Sequence, residues 1–423
     1  MAHHTIKDDY KKLEERLNKF PQGLPPSETA YKILSVMFSE EEARLVSLLP
    51  IKPFTVEKAA KCWKKSIKEA QIVLDELASR AILIDIEKNG KATYVLPPPM
   101  AGFIEFSLMR VGGKLDQKVL SELFHQYINV EDDFVMDLFT LPTPIGRTFI
   151  NEQSIEDHDI HVLDYERATN VIETASHIGV GTCYCRHKKE HVGEVCDAPM
   201  EICMTFNGTA ESLIKHGYAK EITKERCHEL LQEAYDHNLV QFGENVQNKV
   251  AFICNCCGCC CEALVGARRV GISRGIHTSN FIARVKEDCT GCGQCIKVCP
   301  MEALALVNAN DPRMKNKKKA VLIEENCIGC GVCERNCPTN ALVMDPREKR
   351  VLTPVNITHR VVMEAIETGK LQNLIFDNQA LLNHRVMAAI FGAILKMPPV
   401  KQLMATEQIK SKFLGKVLKN YNA

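Results

Sequence analysis

Apolar residues recur along this chain first at helical and then at strand spacing. Residues 6–19 form a charged amphipathic stretch, ended by Phe20-Pro21 and the Pro25-Pro26 pair. Ser27 is placed to cap a helix running through Phe38, and Ser39 with Glu42 makes a capping box for a second through Leu49. Thr55 opens a third helix carrying Cys62 and Trp63. Ser66 opens a fourth, with Ile67, Ala70, Val73, Leu74 and Leu77 on its apolar face. The spacing then changes to alternation: residues 82–87 and 91–96 read as strands joined at Asn89-Gly90, a strong hairpin signal. Pro97-Pro98-Pro99 ends that block. Helical spacing resumes over 101–140, where Phe103, Phe106, Leu108, Leu120, Leu123, Phe124 and Tyr127 are expected to be core.

Downstream, 165–176 and 223–237 read as helices, and the apolar pieces 239–240 and 250–253 lead into cysteine-rich chain. After residue 343 helices are expected near 358–368 and 378–396, followed by Pro398-Pro399 and a basic amphipathic stretch over 400–419. Leu381, Leu382, Val386, Met387, Ile390, Phe391, Ile394 and Leu395 form an apolar run too short to span a bilayer. Its expected role is packing on this chain's core or on another subunit, with a peripheral place on a membrane surface as the alternative. These patterns predict an α+β, multidomain chain. We divide it into a helical arm (1–26), a domain of helices and a hairpin (27–99), a helical connector (100–155), a cysteine-rich α/β region (156–279), a module of regularly spaced cysteines (280–348) and a helical C-terminal region (349–423).

Composition narrows the class. The chain has 423 residues, 45% of them apolar, which is enough for several cores. Lys plus Arg equals Asp plus Glu at 53 each, which argues against a general polyanion binder. Twenty cysteines in so long a chain, with a polar, charged start and no signal peptide expected, point to metal ligation in a reducing cytoplasm rather than to disulfides.

The spacing of those cysteines carries the chemistry. Cys289, Cys292, Cys295 and Cys299 precede Pro300, and Cys327, Cys330, Cys333 and Cys337 precede Pro338, so C-x2-C-x2-C-x3-C-P occurs twice. Three cysteines at that spacing wrap one corner of an iron-sulfur cube, and the fourth ligates the other cube of the pair. The assignment is therefore crossed: cluster one takes Cys289, Cys292, Cys295 and Cys337, and cluster two takes Cys327, Cys330, Cys333 and Cys299. Gly291, Gly293, Gly329 and Gly331 suit a backbone wound tightly around sulfide. Two zinc sites or a disulfide framework are the alternatives, and neither needs the third evenly spaced cysteine or the proline. The double motif resembles the bacterial-type two-cluster ferredoxins, with two [4Fe-4S] clusters, over roughly residues 280–348.

A second region holds ten more thiols. Cys183, Cys185, Cys196 and Cys203 are followed by Cys254, Cys256, Cys257, Cys259, Cys260 and Cys261, the last six within eight residues. Adjacent cysteines on extended chain point to opposite sides, so this run is expected to share its ligands between sites or to build one larger assembly. The combination resembles multi-cluster iron-sulfur proteins and oxidoreductase subunits of anaerobic bacteria and archaea, which implies one or more additional clusters on these ten thiols. Zinc is the alternative, with His187 and His191 at i and i+4, as are redox-active disulfide thiols; for the two histidines a solvated basic loop around Arg186, Lys188 and Lys189 is the plainer reading. Arg186 beside a cluster would favour its reduced form. Cys62 and Cys227 are expected to be buried free thiols, and His158 and His161 a polar loop.

Helices followed by a hairpin resemble a winged helix-turn-helix domain, whose helix from Ser66 would enter the DNA major groove. Its outer face sets Glu69, Asp75 and Glu76 against Lys68 and Arg80, so protein docking is expected and nucleic-acid binding is not. Between the two motifs, 308–319 carries Arg313, Lys315, Lys317, Lys318 and Lys319, either a solvated loop or a dock for an acidic redox partner. No G-x-G-x-x-G and no G-x4-G-K-[ST] stands in the chain. The expected function is iron-sulfur electron transfer, within a hetero-complex or homo-oligomer serving an anaerobic oxidoreductase. The alternatives are a reductase with a catalytic non-standard cluster between Cys183 and Cys261, and a redox-sensing winged-helix regulator.

Overall fold

A computed structural model describes residues 8–88, 90–112, 115–155, 162–271, 276, 278–309, 318–378 and 380–395. Asn89, His158, His161, Arg313, Lys315, Lys317 and the stretch 400–419 lie outside the described residues. The chain divides into two compact units: 1–143 with 212–218 and 356–423, and 144–211 with 219–355.

The first unit opens with α1 (Asp8–Leu17), α2 (Glu28–Met37), α3 (Glu40–Ser47), α4 (Val56–Trp63) and α5 (Ile67–Ser79). Local chemistry sets these boundaries. Ser27 accepts from Ala30 N, and Ser39–Glu42 and Ser66–Glu69 close reciprocal capping boxes. Strands β1 (Ile84–Lys88) and β2 (Lys91–Val95) pair antiparallel with Ile84 opposite Val95, and Phe54 bridges Tyr94 on the far side of β2. Helices α6 (Ile104–Ser107), α7 (Gln117–His125) and α8 (Asp133–Phe139) follow, and Phe103, Leu108, Leu120, Phe124 and Tyr127 are buried as their spacing requires. Phe106 and Leu123 are not among the buried core residues. Cys62, on α4, is a buried thiol 3.6 Å from Asn378 Oδ1.

Asp85 on β1 is a buried carboxylate that gathers three side-chain partners. It accepts from Ser212 Oγ and Lys215 Nζ, both at 2.6 Å, and lies 3.0 Å from His216 Nε2. Burial alone would raise its pKa, but the bonds from His216, Lys215 and Ser212 hold it well below the usual carboxylate range. A depressed folded pKa gives stability that is complete above the unfolded value of about 3.9 and is lost as pH falls from there toward the folded value. Asp85→Asn is expected to cost on the order of 2 kcal/mol at pH 7. The difference between variant and parent should begin to shrink below about pH 4 and close only as pH approaches the depressed folded value. Urea unfolding followed by Trp63, the chain's single tryptophan, which is buried in this unit, measures both.

The second unit is built on a six-stranded antiparallel sheet. Its elements in chain order are β3 (Gly146–Thr148), α9 (Ala168–Thr174), β4 (Ile178–Thr182), α10 (Tyr184–His191), β5 (Glu201–Phe206), the start of α11 (Asn207–Lys215, whose residues from Ser212 belong to the first unit), β6 (Lys220–Glu221), α12 (Lys224–Asp236), β7 (Val240–Glu244) and β8 (Phe252–Cys256). The strand order is β3-β7-β8-β5-β4-β6, so β4, β5 and β8, far apart in sequence, lie side by side. Period-two alternation then sorts the side chains. Ile178, Val180, Met204, Phe206 and Ile253 join one core with Val171 and Ile172 of α9 and Leu230 and Leu231 of α12. Cys203, Cys254 and Cys256 occupy the alternate positions of β5 and β8. Cys227 belongs to the core, fully buried, with its thiol pushed up to about 12 by burial.

Helix α13 (Glu262–Val270) leads to the stretch that carries the double cysteine motif: β9 (Phe281–Val285), α14 (Gln294–Val298), β10 (Leu304–Asn308), β11 (Lys318–Leu322), α15 (Val332–Arg335) and β12 (Leu342–Pro346). β9 pairs with β12 and β10 with β11, both antiparallel, so one strand pair joins the ends of the stretch and the other its middle. The chain closes in the first unit with α16 (Ile357–Glu367), α17 (Leu371–Ile375) and α18 (Leu382–Leu395). Leu382, Val386, Met387, Ile390 and Ile394 are exposed on the last of these, and Leu381 is exposed just before it. Among the described residues no helix is long and apolar enough to cross a membrane.

Candidate metal centres

Each half of the double motif is a tight loop running into a one-turn helix. Gly293 and Gly331, at φ 77° and 85°, turn the chain into α14 and α15, a conformation that side-chain-bearing residues rarely adopt. Gly291 and Gly329 also have positive φ and sit against backbone: a Cβ would fall 2.2 Å from Lys318 O in one case and 2.1 Å from Phe281 O in the other.

These loops surround two small cavities. Cys289, Cys292 and Cys295 line the first together with Cys337, Pro338 and Ala320. Cys327, Cys330 and Cys333 line the second together with Cys299, Pro300 and the apolar side chains of Met301, Leu304, Ile328 and Met344. The fourth cysteine of each run thus stands with the first three of the other. Backbone amides are aimed at the sulfurs: Ala303 N donates to Cys299 at 3.3 Å, Ala320 N to Cys289 at 3.5 Å and Ala341 N to Cys337 at 3.2 Å. Four thiols per cavity, apolar walls and amide donors fit a sulfur-rich anionic group.

The other ten thiols separate into a six and a four. The side chains of the six interact in sequence: Cys183, at the end of β4, with Cys185 and Cys203, Cys203 with Cys254, Cys254 with Cys256, Cys256 with Cys261, and Cys261 again with Cys185. The result is a closed ring assembled from β4, α10, β5, β8 and the start of α13. Its members alternate in acidity. Bonds from Cys185 and Cys203 hold Cys183 well below an ordinary thiol, bonds from Cys203 and Cys256 bring Cys254 to about 5, and bonds from Cys185 and Cys256 bring Cys261 to about 6. Burial and the bonds to Cys183 and Cys261 raise Cys185; bonds to thiolate neighbours raise Cys203 and Cys256. Six sulfurs gathered from five segments make a donor set rich enough in sulfur for a metal cluster.

The remaining four, Cys196, Cys257, Cys259 and Cys260, bring all their sulfurs within 4.8 Å of one another. Alternation explains the division of the 254–261 run: Cys254 and Cys256 share a face of β8, and the turn that follows carries Cys257, Cys259 and Cys260 away before Cys261 opens α13.

Arg186 lies fully buried beside the ring, donating to Pro199 O and Asn255 O, both at 2.9 Å. Burial works against its charge, but the electrostatic influence of the Cys183, Cys257, Cys203 and Cys256 side chains more than offsets this and raises its pKa. The segment 184–191 is helix α10 and not a solvated basic loop: Arg186 and Lys188 are completely buried, and Lys188 pairs with Glu262, the first residue of α13. Sequence reasoning passed over Glu262, whose one signal is an acidic residue directly after the cysteine run. His187 and His191 place their Nε2 atoms 3.2 Å apart, against each other.

The family model of the 4Fe-4S dicluster domain matches residues 288–341. No curated protein and no solved structure matches the chain. The 4Fe-4S dicluster domain and the cysteine-rich regions together make this an iron-sulfur protein, with an electron-transfer role.

Proposed function

We propose that the chain passes single electrons through two [4Fe-4S] clusters of the double motif and through a further iron-sulfur cluster in the six-thiol ring, as subunit or partner of an oxidoreductase working without oxygen. The observation that carries this reading is the pairing of two four-cysteine cavities with a buried thiol ring on one continuous scaffold. Such clusters take up and release one electron at potentials set by charge, burial and hydrogen bonds to sulfur. The chain supplies these controls itself. Amides at Ala303, Ala320 and Ala341 and the Arg186 cation stabilise added negative charge. Gly258, just beyond the ring's β8 thiols, lies against Pro300: a Cβ there would stand 2.8 Å from Pro300 O. Packed chain thus runs from the ring region to the cavity that Cys299 lines.

Burial favours relay over catalysis at the ring. Cys183, Cys185, Cys203, Cys256 and Cys261 are each 7% exposed or less, a poor setting for a substrate. The exposed face of α5 carries Ile67, Ile72, Glu69, Asp75 and Glu76 with Lys68, which supports protein docking by a winged-helix-like domain over DNA binding. Iron analysis and electron paramagnetic resonance of the reduced, anaerobically prepared protein test the reading. About eight irons per chain would fill the double motif, and about twelve would fill the ring as well. A preparation with neither iron nor broad visible absorbance would overturn the proposal.

A further inference from the structure

We propose that Cys196, Cys257, Cys259 and Cys260 form a closed four-thiolate site for a single tetrahedral divalent ion, zinc or ferrous iron, and hold no cluster. The inference is independent of the electron path and concerns thiols outside the ring and the double motif.

Sulfur spacing carries it. Cys196 Sγ lies 3.7 Å from Cys257 Sγ, Cys259 Sγ lies 3.7 Å from Cys260 Sγ, and all four stand within 4.8 Å of one another. Thiolates at about 2.3 Å around one tetrahedral ion are separated by roughly 3.8 Å. Thiolates bound to a cubane radiate from four separate iron corners and stand roughly 6 Å apart. The four sulfurs match the first spacing. The eight sulfurs of the double motif form no such group among the described residues.

The placement of the four residues fits a cross-link. Cys196 stands in the stretch between α10 and β5, which has no regular hydrogen-bonded structure from 194 to 200, and the other three come from the turn between β8 and α13. The base of the loop is held by the Lys189–Glu194 pair at 2.5 Å, and Cys260 approaches Glu194 O at 4.0 Å. One ion would tie Cys196 to a turn 61 residues away and fix the loop that supplies Pro199 O to Arg186. Four sulfurs complete a tetrahedron and leave no position for water, as in a structural zinc site or a one-iron site. Cys260 is fully buried while Cys259 is exposed, so the site is at the surface with one ligand anchored inside.

The test uses the full chain, prepared anaerobically, with zinc and iron counted per chain and absorption-edge spectroscopy on the zinc. The expected result is about one zinc with a single shell of four sulfurs near 2.3 Å. Cys196→Ser and Cys259→Ser should lose it and keep the full iron count. If the ion is iron, the same variants should lose one iron and a high-spin mononuclear Mössbauer signal. Loss of about four irons from either variant, or a parent protein with neither ion at this site, would overturn the proposal. Because a variant could fail to fold, cobalt is also loaded into the unsubstituted chain: ligand-field bands of a four-sulfur tetrahedron are expected, and their absence counts against the site. Cluster signals of the double motif, read in the same samples, show separately whether the electron-transfer reading stands.

Discussion

Replacing Cys337 by alanine is expected to cost the protein the cluster associated with Cys289, Cys292 and Cys295, although Cys337 belongs to the other run. The cavity lining requires it, since Cys337 stands with those three and Cys299 stands with Cys327, Cys330 and Cys333. About four irons per chain should be lost. The reduced protein's resonance should simplify as one of two interacting spins disappears. Double substitutions identify the partner by their failure to add. Cys337→Ala combined with Cys292→Ala should lose no more iron than either alone, whereas Cys337→Ala combined with Cys330→Ala should empty both cavities. The opposite pattern, additive with Cys292 and not with Cys330, would refute crossed ligation.

Lys188→Met is expected to be the most damaging single change outside the cysteines. Lys188 and Glu262 are both completely buried and ion-paired, joining α10 to α13 across the thiol ring. Removing one member of such a pair costs about 3–5 kcal/mol, because the other charge was desolvated on the strength of its counter-ion. Urea unfolding followed by circular dichroism gives the magnitude. The companion variant Lys188→Met with Glu262→Leu should recover most of the loss, since an apolar pair of similar volume is tolerated where half of an ion pair is not. A single variant as stable as the parent would show that water reaches this pair.

Legibility followed the range of the interaction. Ser39–Glu42 and Ser66–Glu69 act within one turn of helix, and each was readable from four residues of sequence. The double motif was readable for the same reason: its cysteines recur at fixed local spacings, and the 4Fe-4S dicluster domain matches over that stretch. The ring was not. Cys203 faces Cys254 because β5 lies beside β8, and Cys183 follows β4 because β4 pairs with β5. These pairings are properties of a six-stranded sheet whose order, β3-β7-β8-β5-β4-β6, local pattern does not encode. Strand β5 itself carries Cys203 at an alternate position and reads as a cysteine spacing before it reads as a strand. Helix α10 was hidden by composition, because Arg186, Lys188 and Lys189 look solvated until the thiolates and Glu262 are placed around them.

The exchange of fourth cysteines between the two runs also sets a schedule on the ribosome. A nascent chain that has emerged only to Leu322 carries all four thiols of the first run, and yet neither cavity has its full set, because the first lacks Cys337 and the second lacks Cys327, Cys330 and Cys333. At roughly 5–20 residues per second, the stretch from Cys295 to Cys337 takes about two to eight seconds to synthesise. Through that interval the early thiols must wait exposed or be shielded by other means. Completion comes almost at once for both cavities, within the last few residues of the second run. A chain truncated after Cys299 and before Cys333 would therefore be left without a complete set, and not with half the complement.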